Sequence, residues 1–203
     1  MIEDLENATL QERFEHLLAL ISSTRFLQKQ GLGNEVPFFI CPFNVSETVE
    51  MQKMQVRLEN RLEQHGVRVL SLNLYDICLG LLKENGDWEW LVQNEAKYPK
   101  DELLKDMQSM LDVETIVVPE IDKRMSQKSF DVMFFSGVGE VFPYIRSHNV
   151  LNNLQGIAAD KPTVLFFPGV YNHSLEFGAS LNLFGRLHDD KYYRAFNIYH
   201  CEI

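Results

Sequence analysis

The side chains of this sequence that could do chemistry lie mainly in two polar segments. In the first, Glu140, Tyr144, Arg146, Ser147, His148, Asn149, Asn152 and Asn153 follow the apolar run Phe130 to Phe135. A carboxylate, a guanidinium fork and an imidazole this close together would suit a ligand cleft or a hydrogen-bonded structural corner. In the second segment, Arg186, Asp189, Asp190, Tyr192, Tyr193 and Arg194 set adjacent carboxylates beside phenols. That could be raw material for a metal or acid–base site. A hard cation needs several oxygen ligands, however, and no third carboxylate stands at suitable spacing, so solvated or salt-bridged aspartates are the better reading. His148 has no second histidine or cysteine at ligand spacing and reads as structural. Cys41, Cys78 and Cys201 lack zinc spacing, and their odd number leaves one thiol unpaired in any disulfide scheme. The sequence therefore assigns no catalytic residue, no metal and no cofactor.

The glycines lead to the same place. Ser136-Gly137-Val138-Gly139-Glu140 contains a Gly-x-Gly without the third glycine of a dinucleotide fingerprint, which is better explained by a tight turn. A phosphate-binding loop would follow the first strand. There the sequence is Cys41-Pro42-Phe43-Asn44-Val45-Ser46, with no glycine, no lysine and a proline that removes a donor amide. No acidic residue closes a later strand. Nucleotide hydrolysis has no machinery here.

These segments need elements to hold them. Thr9 and Glu12 make a capping box, and Leu10, Phe14, Leu17, Leu18, Ile21 and Leu27 continue at helical spacing, with a break at Ser22-Ser23-Thr24. The amphipathic helix would cover its own sheet, the commoner use, or a partner protein. Val36 to Phe43 reads as a buried strand. Asn44 with Glu47 opens a helix faced by Met51, Met54, Leu58 and Leu62, Gly66 ends it, and Val67 to Leu72 is the second strand. This βαβ unit predicts parallel strands. Tyr75 to Glu84 is a helix. Trp88 and Trp90 fit strand or helix and read as core. Helices follow from Asp101 and through VETIVV, with Pro119 in the first turn of one running to Gln127. Phe130 to Phe135 and Pro162 to Phe167 are the third and fourth strands, and Arg194 to Tyr199 supplies a last one. Between them Asn149 is the expected N-cap of a helix, and Arg146 is expected to be at least half buried, gathering Glu140 or Asp190.

The pattern predicts an α/β fold. Its architecture is a three-layer domain with a mostly parallel central sheet of P-loop-like or Rossmann-like topology, lacking nucleotide motifs, plus an N-terminal amphipathic helix. Residues 1–33 form the helical extension and 34–203 the α/β domain. At 203 residues, with 45% hydrophobic and 24% charged residues, the chain is long enough for one well-buried core. A net charge of −10 argues against direct nucleic-acid binding, which needs a basic surface. No apolar run reaches membrane-spanning length, the N-terminus MIEDLENATL is acidic rather than signal-like, and the cysteine usage suits a reducing cytoplasm.

Four stretches carry a likeness to a known family. They are Phe38 to Asn44 (FFICPFN), Val141 to Gln155 (VFPYIRSHNVLNNLQ), Lys161 to Tyr171 (KPTVLFFPGVY) and Leu183 to Ile198 (LFGRLHDDKYYRAFNI). Across roughly Val36 to Ile198 the chain resembles the BrxB family of BREX bacteriophage-exclusion systems. The resemblance implies a small cytoplasmic component of a multi-protein phage-defence system that includes a large ATPase and a DNA methyltransferase. It also implies association with the alkaline-phosphatase-like protein PglZ and other BREX subunits, and no catalysis of its own. The family has no agreed catalytic residues, so the motif residues enter as structural or interface candidates. An adaptor is thus the expected function. The alternative is a small-ligand or nucleotide-binding protein, or an enzyme, on a degenerate nucleotide-binding scaffold, with Glu140, Arg146 and His148 converging near Asn44 and Tyr171.

Overall fold

A computed structural model describes residues 5–31, 37–174, 178–189 and 195–203. Five parallel strands form the central sheet: β1 (Phe38–Phe43), β2 (Val69–Asn73), β3 (Val132–Ser136), β4 (Thr163–Ser174) and β7 (Phe196–Asn197), in the order β2-β3-β4-β1-β7. The apolar runs of β1, β3 and the first half of β4 have no polar alternation because both sides of these strands are covered. Alternation decides instead which layer each side chain joins. Phe38, Ile40, Met133, Phe135, Leu165 and Phe167 point to one core. Phe39, Cys41, Val132, Phe134, Val164 and Phe166 point to the other.

The second core is closed by α1 (Leu10–Ile21), α2 (Thr24–Leu27), α3 (Thr48–Gln64) and a C-terminal 3-10 turn at Ile198–His200. The stripe of α1 therefore serves its own sheet. Phe14, Leu17, Leu20 and Ile21 are buried there, each worth about 1.5–3 kcal/mol. The predicted break falls at Ser22–Ser23, and the Thr9–Glu12 capping box is formed. The first core is closed by α4 (Leu74–Glu84), α5 (Asp87–Asn94), α6 (Lys100–Met110), α7 (Val118–Gln127) and α8 (Ser147–Ile157). VETIVV is helical, as a π-turn at Val113–Val117 that runs into α7 with its proline in the first turn. At the end of α3, Gly66 takes φ of 80°. The Gly66 and Val67 amides then donate to the Glu63 and Leu62 carbonyls, satisfying groups the helix would leave open.

Several expectations are corrected. Trp88 is 37% exposed rather than core, while Trp90 is partly buried with its ring edge-on to Tyr98 at 5.2 Å. β2 begins two residues later than expected and runs to Asn73, which caps α4 by accepting from the Tyr75 and Asp76 amides. Asn149 is not an N-cap, because α8 already starts at Ser147 and the Asn149 amide bonds to the Arg146 carbonyl. Asn44 accepts from the Ser46 amide, but Glu47 turns away to Arg13. Most consequentially, β4 does not end at Pro168-Gly169. It continues to Ser174 and pairs antiparallel with β5 (Gly178–Leu183), which pairs with β6 (Leu187–Asp189). Gly169 makes this continuation possible, since a Cβ there would sit 2.1 Å from the Asn182 carbonyl oxygen.

Candidate functional site

The connection after β1 crosses to the α3 layer, whereas those after β2 and β3 cross to the opposite layer. Such divergence opens a crevice at the carboxyl ends of the strands, where α/β proteins bind ligands. Two hollows occupy it. One, of about 410 Å³, lies at the end of β1, and one of about 250 Å³ lies between α3 and the ends of β2 and β3.

The β1 end is built around a buried ion pair. Arg13 of α1 is 2% exposed, and its Nη2 and Nη1 donate to Glu47 Oε1 and Oε2 at 2.6 and 3.2 Å. Beneath it the Tyr199 hydroxyl lies 3.2 Å from Cys41 Sγ. Burial pushes the Cys41 thiol up to about 12, and burial likewise raises the Tyr199 phenol. Neither group is ionised at neutral pH, so neither serves as a nucleophile or base. The amides that a phosphate would need are already used: Ser46 donates to Asn44 Oδ1 and Glu47 to the Asn44 carbonyl.

The loop after β3 packs closely at its two glycines. Gly137 has φ of 81°, and a Cβ there would sit 2.3 Å from Asn73 Oδ1. A Cβ on Gly139 would meet Phe184 and Pro168 at 2.9 Å. The Gly-x-Gly therefore makes room for the cap of α4 and for an aromatic ring. Phe184 lines both hollows together with Phe43. Glu140 accepts a hydrogen bond from Gln52 Nε2 at 3.3 Å. Among the described residues no group of His, Cys, Asp or Glu is arranged to hold a metal ion.

The polar motif divides instead of converging. Ser147 and His148 are buried, at 6% and 4% exposure. Tyr144, Arg146, Asn149 and Asn153 line a separate groove of about 370 Å³ beside Asp112 and Glu114, and Asn152 is exposed. Arg146 is itself exposed and makes no ion pair among the described residues, contrary to the expectation that it pins the corner. Its place at the α8 N-cap is held by the backbone. Tyr171 donates to the Ala195 carbonyl at 2.6 Å, so it closes the hairpin against the C-terminal segment. Arg186 is exposed in the turn before β6, where its amide bonds to the Leu183 carbonyl. Asp189 ends β6, and Asp190, Tyr192, Tyr193 and Arg194 lie outside the described residues.

Sequence reasoning missed Arg13, Glu47, Phe184 and Tyr199. Only Arg13 left a signal, a charge at the helical spacing of the apolar stripe between Leu10 and Leu17.

Comparison with known proteins completes the description. The family model described as BREX protein BrxB matches residues 70–198. A BREX protein BrxB of Bacillus cereus (strain H3081.97) is 34% identical over 193 residues, covering 93% of this chain and 97% of that protein. Another from Escherichia coli O9:H4 (strain HS) is 27% identical over 189 residues, covering 93% of this chain and 91% of that protein. No solved structure matches the chain significantly.

Proposed function

This chain belongs to the BrxB family of BREX proteins, and from that premise we propose that it is a non-catalytic adaptor binding the PglZ alkaline-phosphatase-like protein. The observation that carries this reading is the polar groove beyond the strand ends. Tyr144, Arg146, Asn149 and Asn153 line it, while in the crevice itself Arg13 is paired with Glu47 and the Ser46 and Glu47 amides are already bonded. The Arg146 guanidinium, with no ion pair among the described residues, is available to a carboxylate or carbonyl on another protein. The reading places the protein in the cytoplasm, which its three free thiols support. Among the described residues no helix is long and apolar enough to cross a membrane.

The test is co-purification with the PglZ-like protein of the same locus. Association at micromolar concentration is expected, and two folded proteins that stay separate would end the adaptor reading. The hollow at the β1 end keeps a second reading alive, since about 410 Å³ falls within the range of small-molecule sites. Its carboxylates Glu6 and Glu47, with Arg13 already paired, oppose a phosphate. Calorimetry against nucleotides separates the readings: measurable heat favours the ligand protein, and its absence the adaptor.

A further inference from the structure

The helical layer between β2 and β3 contains a further recess. Cys78, Leu79 and Leu82 of α4, Leu91 of α5, and Leu103 and Met107 of α6 line a hollow of about 200 Å³. Its mouth carries Tyr75 and Trp88, which are 44% and 37% exposed. Along α5 and its C-cap the residues Trp88, Leu91, Val92 and Glu95 share one face at helical spacing. Of these only Leu91 is buried, and Val92 is left 63% exposed. An aromatic side chain exposed at the mouth of an apolar recess is a feature of protein-recognition surfaces.

Size and charge decide what fits. The recess is smaller than the roughly 300–1,000 Å³ of drug-like sites, so it suits a single apolar side chain rather than a cofactor. The charged residues lining it are both acids, Glu95 and Glu140. Lys83 lies over the Trp88 ring at 5.7 Å and is outside the lining. A second copy of this acidic chain would bring carboxylates to carboxylates, which disfavours self-docking. Tyr144 lines both this recess and the groove of Arg146, so the apolar recess continues into a polar rim.

We propose that the recess between α4, α5 and α6 receives an apolar side chain from a partner protein segment in which a lysine or arginine flanks that side chain. The proposal rests on the adaptor reading and gives that partner surface its chemistry: an apolar anchor with adjacent positive charge.

The experiment uses the full chain and two variants, Trp88→Glu and Glu95→Lys, each first shown by thermal melting to fold as the parent does. An mRNA-displayed library of random twelve-residue peptides is selected on the parent chain. The enriched peptides are expected to carry a large apolar residue beside Lys or Arg, and to bind each variant about tenfold or more weakly. No enrichment, enrichment of acidic or uncharged peptides, binding indifferent to both variants, or self-association lost in both variants would overturn the proposal. The PglZ-like protein is then titrated against the same three chains. If it binds all three equally, the adaptor reading stands and the recess proposal falls. If it binds none while the peptides behave as expected, the recess stands and the choice of partner falls.

Discussion

The carboxyl ends of β1 and β3 each present an arginine, and the fold treats the two in opposite ways. Arg13 is drawn beneath the β1 end, bonded twice to Glu47 and buried. Arg146, at the corner beyond β3, lies in the open with its guanidinium uncommitted among the described residues. A buried guanidinium must be paired, because its desolvation is otherwise uncompensated, whereas an exposed one costs the fold nothing and is free to meet a partner. Position near a strand end therefore does not identify a functional arginine. Burial and pairing do.

The largest expected effect comes from breaking the inner pair. Glu47→Ala strands Arg13 and should lower stability by about 2–4 kcal/mol, less than a fully buried pair would lose because Glu47 is 33% exposed. Urea unfolding measures this, and a variant that unfolds like the parent would mean that water reaches Arg13 and the contrast fails.

Next is the packing of the β3 end. Gly137→Ala forces a side chain into left-handed backbone and against the Asn73 cap, at about 2–3 kcal/mol from the two costs together. The melting temperature should drop while partner binding, measured at a temperature where the variant is folded, is retained. A loss of binding without loss of stability would make this loop a contact surface.

The amino ends of β2 and β3 offer an intermediate case. Arg68 donates to Asp131 through Nη2 and Nε at 2.7 and 2.9 Å, and these hydrogen bonds hold the Asp131 carboxyl down to about 2. A depressed carboxylate contributes stability that is complete above its unfolded value near pH 4 and is lost as pH falls through about 2. Arg68 is 57% exposed, so solvent screening keeps the contribution small. The stability difference between parent and Asp131→Asn should close between pH 4 and 2. A difference that does not vary with pH would show that the pair is broken in solution.

The smallest expected effect on the fold is at Arg146. Arg146→Ala should change stability by no more than about 0.5 kcal/mol, as exposed substitutions do, while weakening association with the PglZ-like protein. A melt lowered by several degrees would return Arg146 to the structural class and remove the contrast with Arg13.

Much of this molecule is determined by near neighbours in the chain. The Thr9–Glu12 box, the stop at Gly66, the proline opening α7 and the stripes of α1 and α3 all depend on residues three or four apart, or on one glycine. They are legible in the sequence because their physics is local. The runs at Phe38, Val132 and Thr163 likewise declare strands covered on both sides, and so an α/β fold. The candidate site was less legible. Its motif residues stand out in the sequence, but which of them turn inward depends on where α8 begins, and Ser147 and Arg146 are adjacent residues with opposite fates. Tertiary structure alone decided the partners that are far apart in the chain. Glu47 could have completed a local cap, yet it found Arg13, because once α1 lies on the sheet a buried guanidinium needs a counter-charge more than the helix needs a cap. Pro168-Gly169 reads locally as a stop, yet β4 runs through it because β5 comes close enough to Gly169 for a ladder to form. Phe184 reaches the crevice for the same reason. Its place is set by the path of the hairpin across the strand ends, which no local pattern encodes.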